Sequence, residues 1–90
     1  MLTTLLTKLY GGYLMDVNDL LVYAIDESMR INKDEIFLIK DLFKGYEWNR
    51  IPKKDRLLLG TLFLNYVKKE GTHIVPYDKT TSGQQRYKYI

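Results

Sequence analysis

Between positions 17 and 30 the apolar residues recur at helical spacing. Leu20, Leu21, Ala24, Ile25 and Met29 share one side, while Asp26, Glu27 and Arg30 fall mostly on the other. This predicts a helix over residues 17–30. Asp16 is its N-cap and Asp19 lies in the first turn, where a carboxylate meets unbonded amides and the positive end of the helix dipole. A polar turn, INKDE, follows. Residues 35–39 are apolar and partly β-branched, which predicts a short strand before residues 40–44 turn helical and Gly45 ends them.

The stretch GYEWNRIPKKDRLLLGTLF opens the best-defined helix, expected over residues 52–69 with Pro52 at the first helical position and Gly71 past the end. Successive residues set 100° apart place Leu58, Leu59, Leu62, Phe63, Tyr66 and Val67 on one broad face, the expected core. The other side carries Lys54, Thr61, Asn65 and Lys68, flanked by Lys53, Leu57 and Leu64. Gly60 costs roughly 1 kcal/mol relative to Ala in mid-helix, and close approach of another helix would justify it. After Gly71 the period changes to that of strands. HIVPY and QQRYKYI form a hairpin around the polar segment DKTTSG, with a mobile tip, and Pro76 confines its strand to an edge or a bulge. In the second strand Tyr87 and Tyr89 point one way, toward the core, and Arg86, Lys88 and Ile90 the other.

Ninety residues, 46% of them hydrophobic and 28% charged, suffice for one small domain with a single core. The net charge of +3 conceals an asymmetry: residues 1–36 carry three bases and six acids, residues 37–90 eleven bases and five acids. A concentrated positive field of this kind steers polyanions. With no cysteine and a single histidine, His73, there is no disulfide framework and no recognisable metal-ligand spacing, and a cytoplasmic protein without cofactor is expected. The first fourteen residues lack the basic start and small-residue cleavage site of a secretory signal, and are too short to span a bilayer. Two readings of them stay open. Gly11-Gly12 can be encoded as GGAGGN, a ribosome-binding sequence two codons before Met15, which makes Met15 an alternative start and residues 1–14 an upstream extension. Otherwise residues 2–10 form a short helix ended by the glycines. Residues 15–90 form the single domain in either case.

The order of helix, short strand, short helix, turn, long helix and hairpin is that of a winged helix-turn-helix, an α+β fold of three helices and a C-terminal β-hairpin wing. FLIKDLFKGYEWNRIPKKDRLLLGTLFLNYV and KTTSGQQRYKYI resemble a small uncharacterised winged-helix family of Gram-positive bacteria and their phages and plasmids, some of whose members carry a single-stranded DNA-binding label. The resemblance covers residues 35–90. It rests on K-D-L-F-x-G-x-E-W, I-P, L-G-x-x-F and the Q-x-R-Y end of the hairpin.

The architecture implies roles for particular residues. Lys53 and Lys54 would meet phosphates or guanine edges at the start of the third helix, with Arg50 just before it and Thr61, Asn65 and Lys68 further along its exposed side. Lys79, Arg86 and Lys88 would hold the wing against the backbone. A solvated charged face is the competing reading of all nine. Trp48, the chain's one tryptophan, is either a platform for an unstacked base or a plug packed on Leu42, Phe43 and Ile51; a lone Trp in a small domain favours the plug. Asp41, Glu47 and Asp55 are expected in ion pairs. The chain shows no glycine-rich phosphate loop and no set of nucleophile, base and orienter, which points away from an enzyme. The expected function is DNA binding, duplex ahead of single strand, as a small regulator or accessory factor of a phage or mobile element. The alternative is a protein-binding module such as a phage-encoded inhibitor of a host protein, and the acidic N-terminal helix would supply a homodimer contact in either case. No membrane association is expected.

Overall fold

A computed structural model describes residues 16–69 and 71–90; the two readings of residues 1–14, and Met15 itself, lie outside the described residues. Helix α1 spans Val17–Ser28. Asp16 caps it from an extended backbone, its carboxylate accepting from the Asp19 amide at 3.0 Å. Leu20, Ala24 and Ser28 are its buried side, and the Ser28 hydroxyl is satisfied by donating to the Ile25 carbonyl at 2.7 Å. The turn after α1 passes through Asp34 at φ 72°, a left-handed conformation that Asp tolerates better than most residues.

Strand β1, Ile36–Leu38, runs directly into a 3₁₀ turn, Ile39–Leu42. Helix α2 then covers Gly45–Arg50. The sequence expectation placed the short helix over residues 40–44 and made Gly45 its stop, and this is corrected: Gly45 is the first residue of α2, not the end of a helix. Gly45 lacks the left-handed backbone of a helix-ending glycine, which Gly71 does adopt at φ 88°. What interrupts the helix is Phe43. Its extended backbone (φ −123°, ψ 155°) turns the ring inward, so that Leu42 and Phe43 are both buried.

Helix α3, Lys53–Val67, begins after Pro52, which stands one position outside the helix and offers its carbonyl to the Asp55 and Arg56 amides. Leu59, Phe63 and Val67 are its buried residues, with Leu64 and Tyr66 packed beside them. The expected apolar face is therefore rotated: Leu58 is 46% exposed, while Leu64, expected at the flank, packs against the core. At the far end the Thr72 hydroxyl donates to the Val67 carbonyl at 3.0 Å, satisfying one of the orphan acceptors of the helix terminus.

Strands β2, Ile74–Lys79, and β3, Gln85–Tyr89, form the expected hairpin. The antiparallel sheet has the order β1-β3-β2, with Phe37 opposite Tyr87 on one side of β3 and Pro76 opposite Tyr87 on the other. Pro76 sits on the edge strand as expected, and the register shifts between it and Lys79. Hydrogen bonds close the hairpin tip, from the Thr80 amide to the Gln84 carbonyl (2.8 Å) and from the Gly83 amide to the Thr80 carbonyl (2.9 Å). The core lies between α1, α3 and the sheet. Tyr87, 2% exposed, meets Phe63 edge-on at 5.0 Å between ring centroids and Phe37 at 5.8 Å, so one side chain of β3 packs on both α3 and β1. Burial pushes its phenol pKa up to about 12.

Candidate nucleic-acid interface

The nine predicted contact residues do not share one surface. Lys54, Thr61, Asn65 and Lys68 are exposed on the outward side of α3. Thr61 uses its hydroxyl proton within the helix, donating to the Leu57 carbonyl at 3.3 Å, so it offers a partner lone pairs rather than a donor. Leu57 and Leu58, 64% and 46% exposed, interrupt this polar side. Arg50, at the end of α2, places its guanidinium 5.1 Å from the Tyr46 ring centroid.

Lys53 and Lys79 line a groove of about 550 Å³ between α3 and the hairpin tip, and Thr61, at the border of the outward side, lines it too. Two further cations line it, Lys40 from the 3₁₀ turn and Arg56 from α3. None of its lining residues is an Asp or Glu, and among the described residues none of the four cations is ion-paired. Asp41, the carboxylate next to Lys40, is not in the expected ion pair: it accepts from the Leu38 backbone amide at 2.8 Å and holds the 3₁₀ turn. Arg56 lies over the Trp48 ring, 5.8 Å from its centroid, and its Nε is covered and has no hydrogen-bond partner in the protein. Trp48 is half-buried, 5.5 Å from Phe43, with its other side on the groove. It serves as the expected plug and as a groove wall together.

Gly60 lines the same groove. The expectation that a close helix would explain it is corrected: a Cβ built at Gly60 meets nothing within 4 Å. No packing partner requires the glycine there; its missing side chain leaves the groove open.

Arg86 and Lys88 alternate with Tyr87 along β3 and so face away from the core, on the outer side of the sheet. There Arg86 forms a two-pronged ion pair with Asp78, and Lys88 lies 4.0 Å from the Asp34 carboxylate. Both cations also approach the Tyr77 ring, at 5.6 and 5.8 Å. The hydrogen bonds from Arg86 hold the Asp78 carboxyl below its ordinary pKa. His73 is exposed and stacks on Tyr89 at 5.9 Å.

Arg56, Gly60 and Lys40 were absent from the sequence-based set. The first two were legible, because Lys53, Arg56, Gly60 and Leu64 recur at spacings of three and four, a stripe on one side of a helix. Lys40 was not, since only the tertiary fold brings the 3₁₀ turn to α3. Among the described residues no helix is long and apolar enough to cross a membrane.

Neither the curated proteins nor the solved structures include a match to this chain. A family model does match, over residues 23–88, and so takes in the second half of α1, which the sequence resemblance over residues 35–90 left out. By that match, which covers most of its length, the chain belongs to the family described as Domain of unknown function (DUF1413).

Proposed function

We propose that this chain is a DNA-binding protein of winged-helix type, a small regulator or accessory factor without catalytic activity. The observation that carries the reading is the groove between α3 and the hairpin, with four cations and no carboxylate in its lining. Lys54 and Lys68 extend the positive potential along the exposed side of α3. The order of elements and the β1-β3-β2 sheet support a wing placed beside a recognition helix. In this arrangement Lys53, Lys54 and Lys79 supply the phosphate contacts, and Asn65 is placed to reach a base edge. Arg86 and Lys88 contribute less, because Asp78 and Asp34 already offset their charge.

Fluorescence anisotropy of random duplex and single strands across a salt series tests this. Duplex binding should weaken steeply with salt, and Lys53→Ala/Lys54→Ala should weaken it about tenfold or more on every sequence, with a salt slope shallower by about 2. Absence of binding at low salt removes the proposal.

One observation favours a second reading. Leu57 and Leu58 are exposed side by side on α3, where DNA contact has no use for them and a protein partner would. On that reading the chain is a protein-binding module, such as a phage-encoded inhibitor that presents its basic groove and this apolar step to a host protein. Val22 and Met29, exposed at 57% and 62% on α1, are the matching candidates for a homodimer contact, which sedimentation velocity would measure.

A further inference from the structure

The groove has features that a simple phosphate-gripping surface does not require. Its volume, about 550 Å³, is that of a site for one small molecule, and it is open to solvent along one side. Its lining includes the half-buried Trp48 and the apolar side chains of Leu38 and Leu64, together with the four cations that have no ion-pair partner among the described residues. At its floor Gly60 leaves room that any side chain would occupy. Arg56, stacked over Trp48 with its Nε already covered, has given up part of its hydration, so an anion brought to the rest of the guanidinium meets a less screened charge. One flat aromatic side chain, Trp48, beside a cluster of cations selects a molecule that is planar at one end and anionic at the other.

We propose that this groove is a binding site for a phosphate ester of a planar aromatic group, the chemistry of a nucleotide. The aromatic part lies against Trp48 above Gly60, and the phosphate lies among Lys53, Arg56 and Lys79. Such a ligand reaches the groove either as a free nucleotide or as an unstacked nucleotide of a single strand. The site lies in the groove that carries the duplex reading and shares Lys53 and Lys79 with it, so it rests on that reading's cation cluster; the mononucleotide titration and the duplex titration are separate readouts, and either can fail alone.

Trp48 is the chain's sole tryptophan and reports directly on the groove. Its emission is followed in the full chain at low salt during titration with adenosine 5′-monophosphate, adenosine, inorganic phosphate and a single-stranded hexanucleotide. The monophosphate should give a saturable change at lower concentration than adenosine or phosphate alone. Lys53→Ala and Lys79→Ala should each raise its Kd about tenfold, the loss of one charge-assisted contact. Gly60→Leu fills the groove floor while favouring the helix, so it should keep the fold and abolish the response. A hexanucleotide bound more than about tenfold tighter than the monophosphate, and lost in Gly60→Leu, assigns the site to a strand; comparable affinities assign it to the free nucleotide. No saturation by either probe up to about 10 mM, or an unchanged response in Gly60→Leu, overturns the proposal.

Discussion

The molecule has two basic surfaces, one with its cations beside carboxylates and one without. On the outer side of the sheet Arg86 and Lys88 sit beside carboxylates, Asp78 and Asp34, and above the Tyr77 ring. In the groove Lys40, Lys53, Arg56 and Lys79 gather with no acid among the lining residues. Counting lysines and arginines does not distinguish the two. The difference lies in what each cation faces: a paired cation on an exposed sheet has its field offset locally, whereas unpaired cations along one concavity add their fields. A surface that leaves its charges uncompensated has the greater gain from an anionic partner.

Tyr87 separates the two surfaces, and its loss should have the largest effect. Tyr87→Ala removes the ring that Phe63 and Phe37 pack on and should destabilise the fold by about 3–5 kcal/mol in urea denaturation. A loss under about 1 kcal/mol would mean that the sheet is held to α3 by other contacts. The same ring gives a pH signature. Its folded pKa of about 12 exceeds the ordinary 10.0, so between these values the unfolded chain has released the proton and the native chain still holds it. Stability is therefore complete below pH 10 and falls as pH rises toward 12. Circular dichroism followed through alkaline titration should show that fall, and Tyr87→Phe should reduce it, leaving the smaller part that Tyr23, also raised by burial, contributes.

The second test compares the surfaces directly. Lys53→Ala/Lys79→Ala should weaken duplex binding by at least about tenfold, and Arg86→Ala/Lys88→Ala by no more than about twofold, in anisotropy at fixed salt. Equal losses would break the distinction between paired and unpaired cations. A smaller effect is expected at the groove floor. Gly60→Ala meets open space and should raise stability by about 1 kcal/mol, or the melting temperature by about 4–8 °C. A lower melting temperature would show that the glycine has a packing role after all. The smallest effect belongs to the exposed Arg86–Asp78 pair, whose contribution is present above the ordinary carboxylate range and is lost as pH falls through the lowered Asp78 pKa. In NMR titration the Asp78 carboxyl should titrate at lower pH than an unpaired Asp, and Arg86→Ala should return it to the ordinary range.

Much of the local structure was legible. The Asp16 cap, the inward Leu20 and Ala24 of α1 and the edge placement of Pro76 each follow from a residue acting on its immediate neighbours, whereas Met29, expected inward, is exposed, Ser28 is buried, and Pro52 stands one position before α3 and not at its first residue. Errors arose where a local signal had two meanings. Gly45 reads as a helix stop, yet it opens α2, because the burial of Phe43 broke the helix two residues earlier. Leu58 and Leu64 both fit the edge of an apolar stripe, and the way α3 seats against α1 and the sheet buried one and exposed the other. Of the site, the stripe through Lys53, Arg56 and Gly60 was written in helical spacing, but the glycine was assigned to packing.

By itself the sequence determined the first helix, the long helix and the hairpin, their order and the concentration of positive charge after residue 36, since periodicity, caps and composition act over a few residues. Only the tertiary structure decided that β1 pairs with β3, that Lys40 and Lys79 reach α3 from distant parts of the chain, and that Asp78 and Asp34 face Arg86 and Lys88. Those outcomes depend on strand register and on which sides of the elements are buried together, and no single stretch of residues contains that information.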